Sequence, residues 1–263
     1  MRVSIGILLG LVAIGCDRPS GREAPPPTAT QEEMAETPTS VAATREVAMK
    51  PPADPTITIS AIGDCALGDL QHGAGAPGTF TAELRAQNDP IGYPFAKVRD
   101  VFMVDDLTIA NLEGTLTTAK QWKNPVFSIK GDPAWAKMLI RGGVDLVNLD
   151  NNHSGDYGLV GLKDTEAALD AAGVAHFGKG RVDRRTIKGI EVANLGYLGG
   201  PSNTRDRMVA DVKREVSAGR TVIVSFHWGI EGYYATAPDQ QRLGRAAIDA
   251  GATLVLGHHP HVV

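Results

Sequence analysis

The chain has 263 residues and 43% of them are hydrophobic, enough for one substantial folded domain with extra segments. Its formal net charge of −4 gives no electrostatic case for nucleic acid as a partner. Aromatic residues make up 5%, and no basic patch is interleaved with them, so the sequence offers no stacking platform for single strands.

At the start, Arg2 supplies a small positive region and residues 3–12 form an apolar run. The run is too short to span a bilayer and reads as a targeting segment rather than as part of the fold. It stops at Ala13-Ile14-Gly15-Cys16, and a small residue before cysteine at this point resembles a bacterial lipobox. That resemblance implies a lipoprotein signal peptide over 1–16, a lipid on Cys16, and a protein anchored to the membrane of the cell envelope, outside the cytoplasm. The plain alternative is a secretory signal with an incidental cysteine. Cys65 is the one other cysteine, so with Cys16 acylated no intramolecular disulfide can form. Residues 17–55 contain Pro25-Pro26-Pro27 and Pro51-Pro52 and almost no large apolar side chain. Such a segment buries too little surface to offset its ordering entropy, and a disordered Pro/Ala/Thr-rich tether is expected.

From Thr56 the pattern changes. Residues 57–62 alternate apolar and small polar side chains, which predicts a strand. Further strands are predicted at 107–112, 144–149, 221–226 and 253–256, with one or two more within 187–195 around Gly189. Helices are predicted over 133–140, 159–172, 206–218 and 238–250. The first has Pro133 in its opening turn and ends at Gly142-Gly143; the others stop at Gly173, Gly219 and Gly251. Strands alternating with helices predict an α/β architecture.

Each strong strand stops at polar residues: Gly63-Asp64-Cys65, Asn111-Leu112-Glu113, Asp150-Asn151-Asn152-His153, His227-Trp228-Gly229 and Gly257-His258-His259-Pro260-His261. Singly, each has a plain reading: Asp64 as a turn or helix cap, Glu113 as a solvated carboxylate, Asn152 in a left-handed turn, His227 as a core histidine. Jointly, five strand ends far apart in sequence each supply an oxygen or nitrogen ligand type. Parallel strands gather such ends at one edge of the sheet. Carboxylates, an amide oxygen and imidazoles together suit Mn, Fe or Zn better than Ca. One or two such divalent ions are the expected cofactor. Trp228, Tyr233 and Tyr234 could line a groove for an extended polymer, or could simply pack.

Five stretches carry a specific resemblance: Ala61-Ile62-Gly63-Asp64, Asn111-Leu112-Glu113-Gly114, Asn151-Asn152-His153-Ser154-Gly155-Asp156-Tyr157-Gly158, Ser225-Phe226-His227-Trp228-Gly229 and Gly257-His258-His259-Pro260-His261-Val262. In order and spacing they resemble the bacterial capsule synthesis family of the CapA/PgsA type, associated with poly-γ-glutamate capsules. That family is similar to the calcineurin-like metallophosphoesterases. The resemblance implies a double β-sheet sandwich flanked by helices over 56–263, truncated at its C-terminus. It implies metal ligands at Asp64, Glu113, Asn152, His227, His259 and His261, with His258 and His259 exchanged by a shift of one residue. It also implies a general-acid role for His153, with Asp156 orienting it or only fixing the loop. Where the family usually has arginine this chain has Asp69, and Ala66 stands where the phosphoesterases place a second histidine. The expected function is synthesis, export or trimming of an anionic envelope polymer, as a metal-dependent hydrolase or transferase. The rival is a non-catalytic polymer-binding or assembly component of a membrane synthase complex.

Overall fold

The computed structural model describes residues 56–124, 126–200 and 203–262. The signal peptide over 1–16, the lipid on Cys16 and the tether over 17–55 lie outside the described residues. The first half of the domain runs β1 (Ile59–Cys65), β2 (Asp69–Leu70), α1 (Phe80–Arg85), α2 (Arg99–Phe102), β3 (Leu107–Leu112), β4 (Thr115–Leu116), β5 (Ile129–Gly131), α3 (Ala136–Gly142) and β6 (Leu146–Asn148). The second half runs α4 (Gly158–Ala172), β7 (Ala175–Phe177), β8 (Asp183–Ile187), β9 (Ile190–Leu198), α5 (Thr204–Ser217), β10 (Thr221–His227), α6 (Pro238–Asp249) and β11 (Leu254–His258).

One four-stranded sheet has the order β1-β3-β6-β7 and is parallel throughout. The other has the order β11-β10-β9-β8, parallel except for the β8–β9 hairpin. A small third sheet joins β2, β5 and β4. Strand alternation explains the layering. Leu107 and Ile109 of β3, Leu146 of β6, Val192 of β9 and Ile223 of β10 share one apolar layer between the two large sheets. The alternate residues turn outward. Ala110 and Leu112 pack with Met138, Leu139 and Leu169 of α3 and α4. Val222, Val224 and Phe226 pack with Met208, Val212 and Ala247 of α5 and α6. The result is an α/β fold in which two sheets meet face to face and helices cover both outer faces.

The long elements form where periodicity and punctuation place them. Gly143 and Gly173 sit at left-handed positions, φ 86° and 78°, and cap α3 and α4. The region around Gly189 is a hairpin whose turn, Lys188-Gly189, has φ values of 48° and 81°. Two differences bear on the site. The first strand begins at Ile59 and runs on to Cys65, through an irregularity between Ala61 and Asp64. And the five strand ends do not line one sheet: three belong to the first sheet and two to the second.

Candidate metal centre

Period-2 alternation builds the site. The inner face of β3 reads Leu107, Ile109, Asn111; that of β6 reads Leu146, Asn148; that of β10 reads Ile223, Ser225, His227. Each inner row is apolar in the middle and turns polar at its carboxyl end, so the layer between the sheets opens into a polar edge. In β1 the bulge sets two residues, Ile62 and Gly63, against one on β3. Without it Asp64 would fall on the opposite face from Ala61; with it Asp64 pairs in register with Asn111.

Asn111, fully buried, is the hub. Its Nδ2 donates to Asp64 Oδ1 at 2.6 Å and lies 3.2 Å from His227 Nδ1. Its Oδ1 accepts from Asn148 Nδ2 at 3.1 Å and Asn151 Nδ2 at 3.2 Å. Asn151 Nδ2 also donates to the Leu112 carbonyl at 2.8 Å, and its Oδ1 accepts from the amides of His153 and Ser154. Three asparagines thereby tie β3, β6 and the loop after β6 into one rigid platform.

Around it stand the ligand-type atoms. His227 Nε2 lies 3.5 Å from Glu113 Oε1, and its Nδ1 lies 3.6 Å from Asp64 Oδ1. His261 Nε2 lies 3.3 Å from Asp64 Oδ2 and 3.4 Å from Glu113 Oε2. One ligand atom from each of Glu113, His259 and His261 lies within 4.8 Å of the others. The His259 amide donates to Asp64 Oδ2 at 2.8 Å, so the last loop is pinned to the first strand across 195 residues. His259 and His261 hold φ values of 96° and 56°, rare for residues with a Cβ. That backbone curl brings both imidazoles near Glu113, at a cost in local strain that the surrounding bonds must offset. His258 stays in β11 and faces the inner layer, so His259 and His261 are the pair that meets Glu113.

The donor set fits a divalent transition metal. Glu113 is 2% exposed and His227 1%. Yet Glu113 Oε1, His227 Nε2 and His259 Nδ1 have no hydrogen-bond partner among the described residues. Buried polar atoms are almost always paired, and these three belong to side chains of one carboxylate-and-imidazole cluster.

The electrostatics agree. Burial raises the Asp64 carboxyl, but hydrogen bonds from the His227 ring, the His259 amide and Asn111 outweigh it and hold it down to about 2. Burial and the Asp64 charge push Glu113 up, against the pull of His227, His153 and His261. Two crowded carboxylates of this kind are relieved by a cation. Burial lowers His259, with the His227 ring adding to it, and lowers His258 to about 4. Burial and then the Asp64 charge push the Cys65 thiol up to about 12, which leaves it unreactive.

His153 Nδ1 lies 2.8 Å from Asp156 Oδ2, and its Nε2 faces Glu113 Oε1 at 3.9 Å. The same Asp156 oxygen accepts from the Ile129 amide at 2.8 Å, so Asp156 both orients the ring and fixes the loop. Burial pulls His153 down, but the bond to Asp156 and the charges of Asp156 and Glu113 outweigh it and raise it. Asn152 is exposed and lines a cavity of about 450 Å³ together with His227, Trp228 and His259. Trp228 stacks on Phe226, ring centroids 4.3 Å apart, while Tyr233 and Tyr234 are exposed. Asp69 has turned away from any anion contact: it is buried and caps the amides of Gly75 and Thr81.

The residues that sequence reasoning missed are Asn111, Asn148 and Asn151 as a platform. Their signal was present: an asparagine at the inner-face position ending each of two apolar rows.

The family model described as bacterial capsule synthesis protein PGA_cap matches residues 58–263. The PGA biosynthesis protein CapA of Bacillus subtilis (strain 168) is 29% identical over 195 residues, covering 64% of this chain and 51% of that protein. The capsule biosynthesis protein CapA of Bacillus anthracis is 32% identical over 177 residues, covering 58% and 43%. A probable polyglutamine synthesis accessory protein of Mycobacterium tuberculosis is 32% identical over 191 residues, covering 59% and 50%. The chain spans about half the length of these curated relatives.

Proposed function

Since the chain belongs to the bacterial capsule synthesis protein family PGA_cap, we propose that it acts on an anionic envelope polymer such as poly-γ-glutamate, in its synthesis, export or trimming, through a divalent-metal site. One observation carries the chemical part: Glu113 Oε1, His227 Nε2 and His259 Nδ1 are buried and without a hydrogen-bond partner among the described residues, and their side chains lie close together where the strands end. Asp64, Glu113, His227, His259 and His261 would hold the ion, with Asn152 at the cavity side. When bound, a Mn, Fe or Zn ion supplies Lewis acidity toward a phosphoryl or carbonyl centre. The chain's own residues do the rest. His153, oriented through Nδ1 by Asp156, presents Nε2 to the site and donates a proton to a departing oxyanion or amine. The cavity beside His227 and His259 receives the part of the substrate flanking the reacting group.

The lipobox-like start supports a lipid anchor at Cys16 that holds the domain on the outer face of the membrane, near a polymer synthase. Palmitate-analogue labelling that marks the wild type and not Cys16→Ser tests this; a mature N-terminus beyond Cys16 refutes it. The activity is tested with the metal-loaded chain on poly-γ-glutamate and on a generic phosphodiester. The proposal expects turnover of one of them, lost in Glu113→Gln and His153→Ala. Metal-loaded protein that binds polymer without turning over either compound instead establishes the assembly component.

A further inference from the structure

Helices α5 and α6 cover the second sheet, and their flanks meet in an open groove of about 410 Å³. Val209 and Ala246 lie at its apolar floor. Arg205, Lys213, Arg242, Arg245 and Asp249 line it as well. On α5, Arg205, Val209 and Lys213 recur every four residues and so share one face; on α6, Arg242, Arg245 and Asp249 do the same at helical spacing. The groove thus gathers four cations against one carboxylate, in a chain whose formal net charge is −4. No basic run in the sequence announces this; the packing of two helices assembles it.

These cations are available. Among the described residues Arg205 and Arg242 pair only with Asp206 and Asp239, and all four side chains are largely exposed, so the pairs exchange readily with other anions. Lys213 and Arg245 form no ion pair among the described residues. The apolar floor holds no aromatic ring, so it offers nothing for bases to stack on. The groove and the cavity of the site share helix α6. Pro238, Gln240 and Leu243, in the first half of α6, line the cavity that contains His227 and His259. A twelve-residue helix is about 18 Å long, so a polymer of several units laid along α6 reaches from one to the other.

We infer that the α5–α6 groove is a docking site for a carboxylate-bearing polymer, separate from the ligand cluster, that holds the polymer chain beside the cavity at the start of α6. The inference rests on the polymer reading above and adds where the polymer is gripped. Electrostatic docking along a row of fixed cations is salt-sensitive and tolerant of sequence.

The test is fluorescence anisotropy of labelled poly-γ-glutamate oligomers against the whole chain, at low and at physiological salt. The Lys213→Ala/Arg245→Ala double variant should bind at least roughly tenfold more weakly, with metal content unchanged, because two of four groove charges are gone. Lys213→Arg should bind as the wild type does. His227→Ala and His259→Ala should lose metal whether or not the groove grips polymer, so the two readings fail separately. Wild-type affinity in the double variant, no wild-type binding, or equal affinity for single-stranded DNA of matched charge would each overturn the inference. Failure of the metal-site variants to lose metal would strike the proposed chemistry alone.

Discussion

Asn111→Leu is the perturbation that most directly tests the platform. Leucine keeps the branched shape and the number of heavy atoms and removes both polar ends. One lost bond is to an ionised carboxylate, Asp64 at 2.6 Å, worth about 1.5–3 kcal/mol. The substitution also strands Asn148 Nδ2, whose one partner among the described residues was Asn111 Oδ1; a buried donor left unsatisfied costs a further ~1–3 kcal/mol. Asn151 suffers less, because its Nδ2 retains the Leu112 carbonyl. The expected loss is about 2.5–6 kcal/mol, a large share of the roughly 5–15 kcal/mol typical of a domain. Urea denaturation followed by circular dichroism measures it, with a fall in Tm of at least about 6 °C as a second readout. Asn111→Leu combined with Asn148→Ala should cost clearly less than the sum of the two single changes, since they share a bond. A loss below about 1 kcal/mol, or simple additivity, would refute the claim that Asn111 organises the site.

Gly196→Ala should lower metal affinity from outside the ligand set. A Cβ at Gly196 would stand 2.2 Å from Asn148 Oδ1, forcing Asn148 off Asn111; metal titration should show weaker binding, and unchanged affinity would contradict the coupling. Asp156→Asn should reduce any turnover roughly 10–100-fold with metal content unchanged, because His153 loses its orienting carboxylate; loss of metal would instead mark Asp156 as part of the ligand shell. Glu215 tests the pH dependence of the fold. The bond from Arg184 first, then burial opposing it and Arg214 assisting, leaves Glu215 depressed to about 2 from 4.5. A depressed carboxyl stabilises the folded state above its unfolded value and loses that contribution as pH falls through its folded value. Glu215→Gln should therefore be about 1–3 kcal/mol less stable at pH 7, and the gap should close between about pH 4.5 and 2. A gap that persists at pH 2 would show that packing, not charge, is at stake.

Much of this was legible in the sequence, for identifiable reasons. The second strand, 107–112, forms with the predicted bounds because its residues are apolar or small and buried on both faces. The four long helices follow their periodicity and their terminal glycines or prolines to within a few residues. The short elements, α1, α2, β2, β4, β5 and β7, were silent because two to six residues hold less than two periods of any pattern. At the site, residue type at the strand ends pointed to Asp64, Glu113, His227, His259 and His261, whose side chains lie close together in the structure. It could not find the bulge that turns Asp64 inward, since a bulge is a property of pairing. Nor could it show that the polar edge belongs to two sheets. Asn111 was overlooked because an asparagine inside an apolar strand has a cost that only its partners explain. Asp69 read as a charge change beside the site; its backbone partners Gly75 and Thr81 show a loop cap instead.

The measurement closest to the central claim is metal content. The whole chain, equilibrated with Mn, Fe or Zn and freed of loose ions by gel filtration, is analysed by mass spectrometry of its metals. Wild type should retain one or two ions per chain. His227→Ala and His259→Ala should each retain clearly less while keeping the wild-type circular dichroism spectrum, because each removes one imidazole with a nitrogen that has no partner among the described residues. Equal metal in wild type and both variants, or none in the wild type at any of the three metals, would contradict the account.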